Sequence, residues 1–339
     1  KVPLALVSAP PGFGKTTAAL SALRPLQAAE DLTLGWLSLA AEDDDPLRFW
    51  RYFLAALQRA TAGSRPRPLG EEALEALSGP QPPPAPSLLA PLLNQIAARP
   101  QDLLLVLDDT HLITHSEIFE GLAFLLEHAP PNLHLILLTR ADPPLPLHRL
   151  RARAQLVEVR AHDLRFNREE ATAFLREVMA LSLDDAQIAR LNEETEGWVS
   201  GLQLAALALQ GPDGAEAAQP DLVERLVHSN RYIADYLAEE VVARQPAPIR
   251  EFLLQTAFLD RLCGSLCDAV TRREDGGRLL ETLARRNLFV VPLGSAPADG
   301  HTWYRYHQLF ADLLQGQLSR QQPAQIPLLH RRAARWYEA

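Results

Sequence analysis

A short segment near the amino terminus carries residue types that can hold a phosphate group. The apolar, β-prone sequence LALVS runs into the loop APPGFG and then into KTT, where a helical pattern begins. Glycines let backbone N–H groups approach an anion closely, and a helix start adds a partial positive charge. The lysine can bridge the β- and γ-phosphates, and the hydroxyl after it can bind Mg²⁺. We therefore predict a phosphate-binding loop that consists of Ala9, Pro10, Pro11, Gly12, Phe13, Gly14, Lys15, Thr16 and Thr17.

Lys15 is set apart by the composition of the chain. Of 33 cationic residues only Lys1 and Lys15 are lysines, so arginine supplies positive charge almost everywhere else. A compact ammonium fits between phosphate oxygens where a wide, planar guanidinium does not. The alternative is a chance Gly-Lys-Thr in an ordinary loop, and the strand before it argues against that alternative. We predict that Lys15 holds the phosphates and takes part in catalysis, with Thr16 as a Mg²⁺ ligand.

A second motif, LLLVLDD, ends in a pair of carboxylates at Asp108 and Asp109. A continuous apolar run is typical of a parallel strand buried on both faces, and such sheets bind ligands at the carboxyl ends of their strands. This is the Walker B pattern, in which Asp108 binds Mg²⁺ directly or through water and Asp109 is the candidate general base. The alternative is that the pair only caps a following helix, predicted over Glu117–Glu127.

A third candidate, Arg140, follows the apolar run LHLILLT directly. A cation at the tip of a strand beside a nucleotide can sense the γ-phosphate through charge-assisted hydrogen bonds. We predict this catalytic role for Arg140, with a solvated loop arginine as the alternative.

Length and charge limit the class of protein. The 339 residues suffice for two or three domains, and a net charge of -9 with a pI near 5.6 argues against a general nucleic-acid or membrane-surface coat. No apolar run reaches 18 residues, which predicts no membrane partner. The only methionine is Met179 and no signal-like start is present, so we expect an excised cytoplasmic fragment. We expect Cys263 and Cys267 to be buried or idle thiols.

Strand and helix patterns alternate in the first half of the chain. Asp45 and Pro46 predict the N-cap and first residue of a helix that runs to Ala60. The Pro- and Gly-rich residues 61–87 predict an extended surface connection. The remaining predicted elements are a helix at Thr16–Leu26, strands at Leu34–Leu39, Leu103–Asp109, Leu133–Thr139 and Leu156–Val159, and a helix at Leu88–Ala98.

From Asp163 onwards the patterns are mainly helical. Asn167 and Glu170 predict a capping box, and Gln210–Pro220 has the composition of a domain boundary. Further helices are predicted over 184–194, 199–209, 222–242, 247–257 and 276–286. Two short strands, Leu288–Leu293 and Thr302–Tyr306, then predict a winged helix. Its charges nearly cancel, which favours a packing module over a reader of DNA.

Six segments in order carry a resemblance to a known family: SAPPGFGKTT, VLDDTHLI, LLTR, DLRFNREEATAFL, EGWVSGLQLAALAL and YRYHQLFADLL. The chain resembles the signalling NTPases called STAND, most closely the MalT-like transcriptional regulators. The resemblance implies an α/β P-loop NTPase domain with a parallel five-stranded core sheet at 1–160. It further implies an α-helical lid at 161–215 and, at 216–339, a winged-helix domain with the start of a C-terminal helical region.

The resemblance also implies roles for single residues and a function. Arg140 matches the sensor arginine of the family, and His307 matches the histidine that contacts the β-phosphate of ADP, whereas spacing alone favours a structural histidine near a helix start. The implied function is an ATP/ADP-dependent switch with an ADP-bound resting state, self-oligomerisation in the ATP state and slow hydrolysis. An inducer and DNA would bind only through sensor and helix-turn-helix domains outside this sequence.

Three alternatives stay open at this point. A continuously cycling AAA+-like ATPase would need an arginine finger from a neighbouring subunit and appreciable turnover. A nucleic-acid-binding module would use the winged helix, and it would show salt-dependent DNA binding. A P-loop kinase for a small molecule would fit the loop but would leave the lid and winged helix without a purpose.

Overall fold

The computed structural model describes residues 2–26, 32–62, 69–210, 231–295 and 300–338. The chain forms two compact units. The first comprises Lys1–Ala9 and Lys15–Leu164, and the second comprises Pro10–Gly14 and Arg165–Ala339. The loop of residues 10–14 therefore belongs by its contacts to the second unit, although both of its ends lie in the first. Among the described residues, none of the helices combines the length and the apolar character needed to cross a bilayer.

The first unit contains the predicted parallel five-stranded sheet, so that prediction is confirmed. The strand order is β2-β3-β4-β1-β5, and every neighbouring pair is parallel. Ser8 pairs with Thr139 and Ser38 pairs with Asp108, so these strands reach one edge of the sheet together. The strands are β1 (Leu4–Ser8), β2 (Leu32–Ser38), β3 (Asp102–Asp108), β4 (Leu133–Thr139) and β5 (Leu156–Arg160).

Core residues cover both faces of this sheet. Along β3, Leu103, Leu105 and Leu107 join one buried cluster, and Leu104 and Val106 join the other. This alternation explains the continuous apolar run, because both faces of the strand are buried. The helices of this unit are Lys15–Leu23, Pro46–Ala60, Glu71–Leu77, Ala85–Ala97, Ser116–Glu127, Leu147–Ala152 and Ala161–Leu164, with short 3₁₀ turns at Ala41–Asp43 and Thr110–Leu112.

The connection predicted over residues 61–87 is partly wrong. A helix lies at Glu71–Leu77, and the next begins at Ala85 rather than at Leu88. Leu69 and Leu77 are both buried, so the segment contributes to the core. The apolar residues of EEALEAL recur at helical spacing. The prediction rests on composition instead, and the prolines around this segment dominate that composition. By contrast, the predicted N-cap is confirmed, since the Asp45 carboxylate accepts a hydrogen bond from the Arg48 backbone N–H at 2.8 Å.

The second unit is mainly helical, and the helix cap that was predicted in it is confirmed. Asn167 and Glu170 form the predicted reciprocal capping box, and Asp184 forms a second one with Gln187. The predicted boundary at Gln210–Pro220 lies, beyond its first residue, outside the described residues. The helices are Arg168–Ala173, Asp185–Glu194, Val199–Gln210, Arg231–Leu237, Ala247–Thr256, Gly264–Thr271, Gly276–Arg285, Gln308–Gln321 and Ile326–Glu338, with wider turns at Phe174–Val178 and Ala238–Val242 and a 3₁₀ turn at Pro323–Gln325.

The predicted hairpin of the winged helix is present in this unit. Strands β6 (Val290–Ser295) and β7 (Thr302–Tyr306) pair antiparallel. Leu262, which precedes the helix Gly264–Thr271, forms two backbone hydrogen bonds of 2.8 Å with Tyr304. Helices followed by a hairpin that is bonded to them constitute the winged-helix arrangement.

Candidate functional site

The loop after β1 has the backbone conformation that its glycines allow. Six residues, 9–14, separate the end of β1 from the helix at Lys15–Leu23. Gly12 and Gly14 have φ values of 77° and 71°, in the left-handed region where a Cβ is strained. Ala9 is buried and its N–H donates to the Thr139 carbonyl at 3.3 Å, which fixes the start of the loop against β4. These features match the predicted strand, tight loop and helix.

The ammonium of Lys15 closes the base of this loop. Its Nζ donates to the Ala9 carbonyl at 3.0 Å, and only 9% of the residue is exposed. Burial and, to a smaller extent, the neighbouring Arg140 lower the pKa of Lys15 to about 8, against the opposing effects of Asp109 and Asp108. A desolvated cation gains more from an added anion than a solvated one does, because the local dielectric is low. The site therefore suits a phosphate chemically.

The two predicted metal ligands lie together. The Thr16 hydroxyl donates to Oδ2 of Asp108 at 2.9 Å, and Oδ1 of Asp108 accepts from the Asp109 N–H at 2.9 Å. Burial raises the pKa of Asp108, the hydrogen bond from Thr16 opposes this, and the neighbouring Asp109 adds to it. A crowded carboxylate beside a hydroxyl is a donor set that suits Mg²⁺ when phosphates and water complete the octahedron. The residues present therefore fit the expected metal.

Replacement of Asp108 by asparagine tests this assignment. We expect the Mg²⁺ concentration needed for half-maximal nucleotide binding to rise on the order of 10- to 100-fold, because one anionic oxygen ligand is lost. Nucleotide binding in EDTA should change little. Titration of Mg²⁺ at fixed ATP measures the first quantity, and titration of ATP in EDTA measures the second. Asp109→Asn is the matched control, and an equal rise in that variant would contradict the assignment.

Asp109 and Arg140 flank the buried groups. Asp109 has a φ of 56° and its side chain is 47% exposed, so the carboxylate is open to water as a general base must be. Its Oδ1 lies 3.7 Å from Nδ1 of His111, a neighbour that the sequence reasoning did not single out. Arg140 follows β4 and lies close enough to lower the pKa of Lys15. Thr17 is exposed in the first turn of the helix.

The middle of the loop is held by residues of the second unit. The indole Nε1 of Trp198 donates to the Pro11 carbonyl at 3.1 Å, and the Ser200 N–H donates to the Gly12 carbonyl at 3.1 Å. The Phe13 ring lies 6.3 Å from the Phe289 ring. Pro10 is buried as well. Sequence reasoning used Trp198 only to mark a helix start and so missed its contact with the loop.

His307 belongs to the same aromatic cluster. Its ring lies 5.6 Å from Phe289 and 6.2 Å from Trp198. Burial lowers its pKa to about 4 against the opposing effect of Glu196, so the ring is uncharged at neutral pH. Among the described residues neither ring nitrogen has a hydrogen-bond partner of ordinary geometry, although the Thr195 backbone lies near enough to raise the pKa. The contact of His307 with a phosphate stays a prediction.

Glu196 is a second residue that the sequence reasoning missed. Its two carboxylate oxygens accept hydrogen bonds of 2.7 Å from both terminal nitrogens of Arg305, and Oε1 also accepts from the Gln308 N–H at 3.0 Å. Arg165 lies 3.3 Å away. Burial acts to raise the pKa of Glu196, but the hydrogen bonds from Arg305 and its neighbours lower it to about 2.

Comparison with known proteins finds a matching domain family and relatives that align with nearly the whole chain. The family model of the MalT winged helix domain matches residues 238–326. The regulators named HTH-type transcriptional regulator MalT from Vibrio parahaemolyticus and Yersinia enterocolitica are 35% and 36% identical over 98% and 99% of this chain. The alignment covers 35% of each of those proteins, so the chain spans about a third of the length of the curated relatives that it matches.

A solved structure supports the fold independently. The Walker-type ATPase of Pyrococcus abyssi aligns with 93% of this chain and 91% of its own, with a TM-score of 0.59 and 15% identity. At that identity the likeness speaks for the fold alone, and it agrees with the parallel sheet and the loop after β1. The chain is therefore similar over nearly its whole length to MalT regulators, and it combines a P-loop NTPase fold with a segment that matches the MalT winged helix domain.

Proposed function

We propose that this chain is the nucleotide-dependent switch of a MalT-like transcriptional regulator, and that it binds ATP or ADP with Mg²⁺ at the loop of residues 9–17. The observation that carries the proposal is the bonding of the loop carbonyls of Pro11 and Gly12 to Trp198 and Ser200. A phosphate-binding loop whose backbone is bonded to a helical unit can pass a change of bound nucleotide to that unit. An enzyme that only turns over ATP has no need of this arrangement.

Each predicted residue has a role in this proposal. Lys15 binds the β- and γ-phosphates, Thr16 and Asp108 hold Mg²⁺, and Arg140 senses the γ-phosphate. Asp109, which is open to water, accepts the proton of the attacking water in a slow hydrolysis that resets the switch. His307 contacts the β-phosphate of ADP in the resting state, as the resemblance implies.

A switch needs different affinities for its ligands in its two states. We propose that the ADP-bound form rests, that the ATP-bound form self-oligomerises, and that an inducer and DNA bind through other parts of the regulator. Such a regulator acts in the cytoplasm. The buried cation of Lys15 supports tight retention of a diphosphate, because the dielectric around it is low.

The proposal predicts that the protein retains ADP through purification. The protein is denatured, and the supernatant is chromatographed against ADP and ATP standards. We expect close to one ADP per chain, and release of this ADP more slowly than one event per minute. An empty site with weak ADP affinity would contradict the resting state, and hydrolysis well above one turnover per minute would favour a cycling ATPase instead.

A further inference from the structure

A short turn, Glu196–Trp198, joins the helices Asp185–Glu194 and Val199–Gln210. Its Glu196 and Trp198 side chains form hydrogen bonds with different partners. We name it the Glu-Gly-Trp turn. The Trp198 indole is bonded to the loop at Pro11, and the Glu196 carboxylate is bonded to Arg305 of the hairpin. All of these residues belong to the second unit. The turn therefore links the phosphate-binding loop to the winged helix through hydrogen bonds from side chains only two positions apart.

The first arm of the link is the hydrogen bond from Trp198 to the loop, and it sets the orientation of the loop peptides. Gly12 is not a proline, so the peptide bond before it is trans and planar, and its C=O and N–H point in opposite directions. A Pro11 carbonyl that accepts from Trp198 turns the Gly12 N–H away from the indole. The Gly12 carbonyl, bonded to the Ser200 N–H, orients the Phe13 N–H in the same manner. These N–H groups are the donors that a phosphate requires in this loop.

The space around these bonds is tight. A Cβ on Gly12 would lie 2.7 Å from Nε1 of Trp198 and 2.6 Å from Oγ of Ser200. Trp198 is fully buried, and on its other side a Cβ on Gly201 would lie 2.6 Å from Cε3 of the indole. The indole is therefore closely packed against both glycines. A donor fixed by packing orders the peptide that it bonds at little further entropy cost.

The second arm, formed by Glu196, connects the turn to the hairpin and to the start of the helix that follows His307. Glu196 bonds both terminal nitrogens of Arg305 and also the Gln308 N–H, which directly follows His307. Between the arms, Gly197 has a φ of 68°, and a Cβ there would lie 2.5 Å from the Phe166 carbonyl oxygen. The Gly197 carbonyl accepts from the Phe166 N–H at 2.9 Å. The turn is thus held on both sides.

We propose that Trp198 is a positioning residue for the phosphate-binding loop, and that through the Glu-Gly-Trp turn the winged helix sets the direction of the Gly12 and Phe13 N–H groups. A displacement of the Arg305 hairpin then changes nucleotide affinity through the loop, in addition to any effect that it has through the contact proposed for His307. This inference rests on the proposed function, since it assumes that the loop binds a nucleotide.

Trp198→Phe tests the proposal, because it removes the indole donor and keeps an aromatic ring. We expect the ADP dissociation constant, measured by titration calorimetry after removal of the copurified ADP, to rise roughly 3- to 10-fold, because the loss of one neutral hydrogen bond costs about that much. Trp303→Phe is the matched control. It makes the same substitution in the hairpin, where the ring faces Trp336 at 6.3 Å, and it should leave ADP affinity unchanged.

A spectroscopic measurement separates positioning from general loss of structure. Pro11–Gly12 is the sole Pro-Gly pair in the sequence, so ¹³C-carbonyl proline combined with ¹⁵N-glycine selects one amide resonance, that of Gly12. We expect this resonance to shift on addition of ADP to the wild-type protein. In Trp198→Phe it should already be displaced or doubled before ADP is added, because the Pro11–Gly12 peptide is no longer held in one direction.

The outcomes are distinct. If the wild type binds ADP and Trp198→Phe binds it equally well, this inference is wrong and the proposed function stands. If the wild type binds no ADP, the proposed function is wrong, and this inference, which rests on it, is wrong as well. If circular dichroism shows that Trp198→Phe does not fold, Gly201→Ala replaces it, because the added methyl displaces the indole while helix propensity improves. The same rise in dissociation constant is then expected.

Discussion

Nucleotide affinity is expected to fall at least about 100-fold when Lys15 is replaced by alanine. Two hydrogen bonds from an ammonium to charged phosphate oxygens at about 1.5 kcal/mol each give about 3 kcal/mol, which is about two decades in the dissociation constant. Lys15→Arg should lose nearly as much. The ammonium sits buried 3.0 Å from the Ala9 carbonyl, and a planar guanidinium is too wide for that position.

The same residue gives nucleotide binding a pH dependence. In the nucleotide-free protein Lys15 has a pKa of about 8, so a growing fraction of the Lys15 side chains is neutral above pH 8. Bound phosphate favours the charged form and raises this pKa, so binding takes up a proton. Affinity should therefore decline by up to about tenfold per pH unit above pH 8, until the raised pKa is reached.

Titration calorimetry at pH 8.5 in buffers of different ionisation enthalpy measures both effects for ADP. The wild type should take up a substantial fraction of a proton, whereas Lys15→Ala, studied at the higher concentrations that its affinity demands, should take up less. Arg24→Ala is the control for net charge, because Arg24 is exposed just after the same helix. Retention of affinity by Lys15→Ala, or equal losses in the two variants, would show that Lys15 does not bind the phosphates.

Features that depend on neighbours along the chain were predictable from the sequence. The glycines of the loop, the apolar run that ends in Asp108, the cap at Asp45 and the capping box at Asn167 all express short-range chemistry. The parallel sheet could be predicted because strands with continuous apolar runs are typical of parallel sheets that are covered on both faces. The carboxyl ends of those strands then brought Thr16 and Asp108 within 2.9 Å of each other.

The second half of the candidate site was not predictable in this way. Trp198 and Pro11 are 187 positions apart, and Glu196 and Arg305 are 109 apart, so no local pattern joins them. A Glu-Gly-Trp sequence before an apolar helix predicts only an ordinary turn. Only the buried position of the indole, and the left-handed backbone of Glu196 and Gly197, distinguish it.

The second large effect is expected at Glu196, whose replacement by alanine should lower the free energy of unfolding by about 3.5 kcal/mol at pH 7. The carboxylate is 13% exposed and its pKa is about 2 in the fold against an ordinary 4.5. A difference of about 2.5 pKa units at about 1.4 kcal/mol each gives this figure. Because the folded pKa is depressed, this stability is fully present above pH 4.5 and is lost as the pH falls through 2.

Urea unfolding across this pH range tests the account. The wild type should lose stability between pH 4.5 and pH 2, and Glu196→Ala should show a correspondingly flatter profile, because the group responsible for that loss is gone. Glu193→Ala removes an exposed carboxylate three residues earlier and should leave both the midpoint and the profile unchanged. An unaltered profile in Glu196→Ala would mean that the ion pair with Arg305 does not hold the turn. The hairpin would then have no rigid connection to Trp198, and the link between winged helix and phosphate-binding loop would lose its second arm.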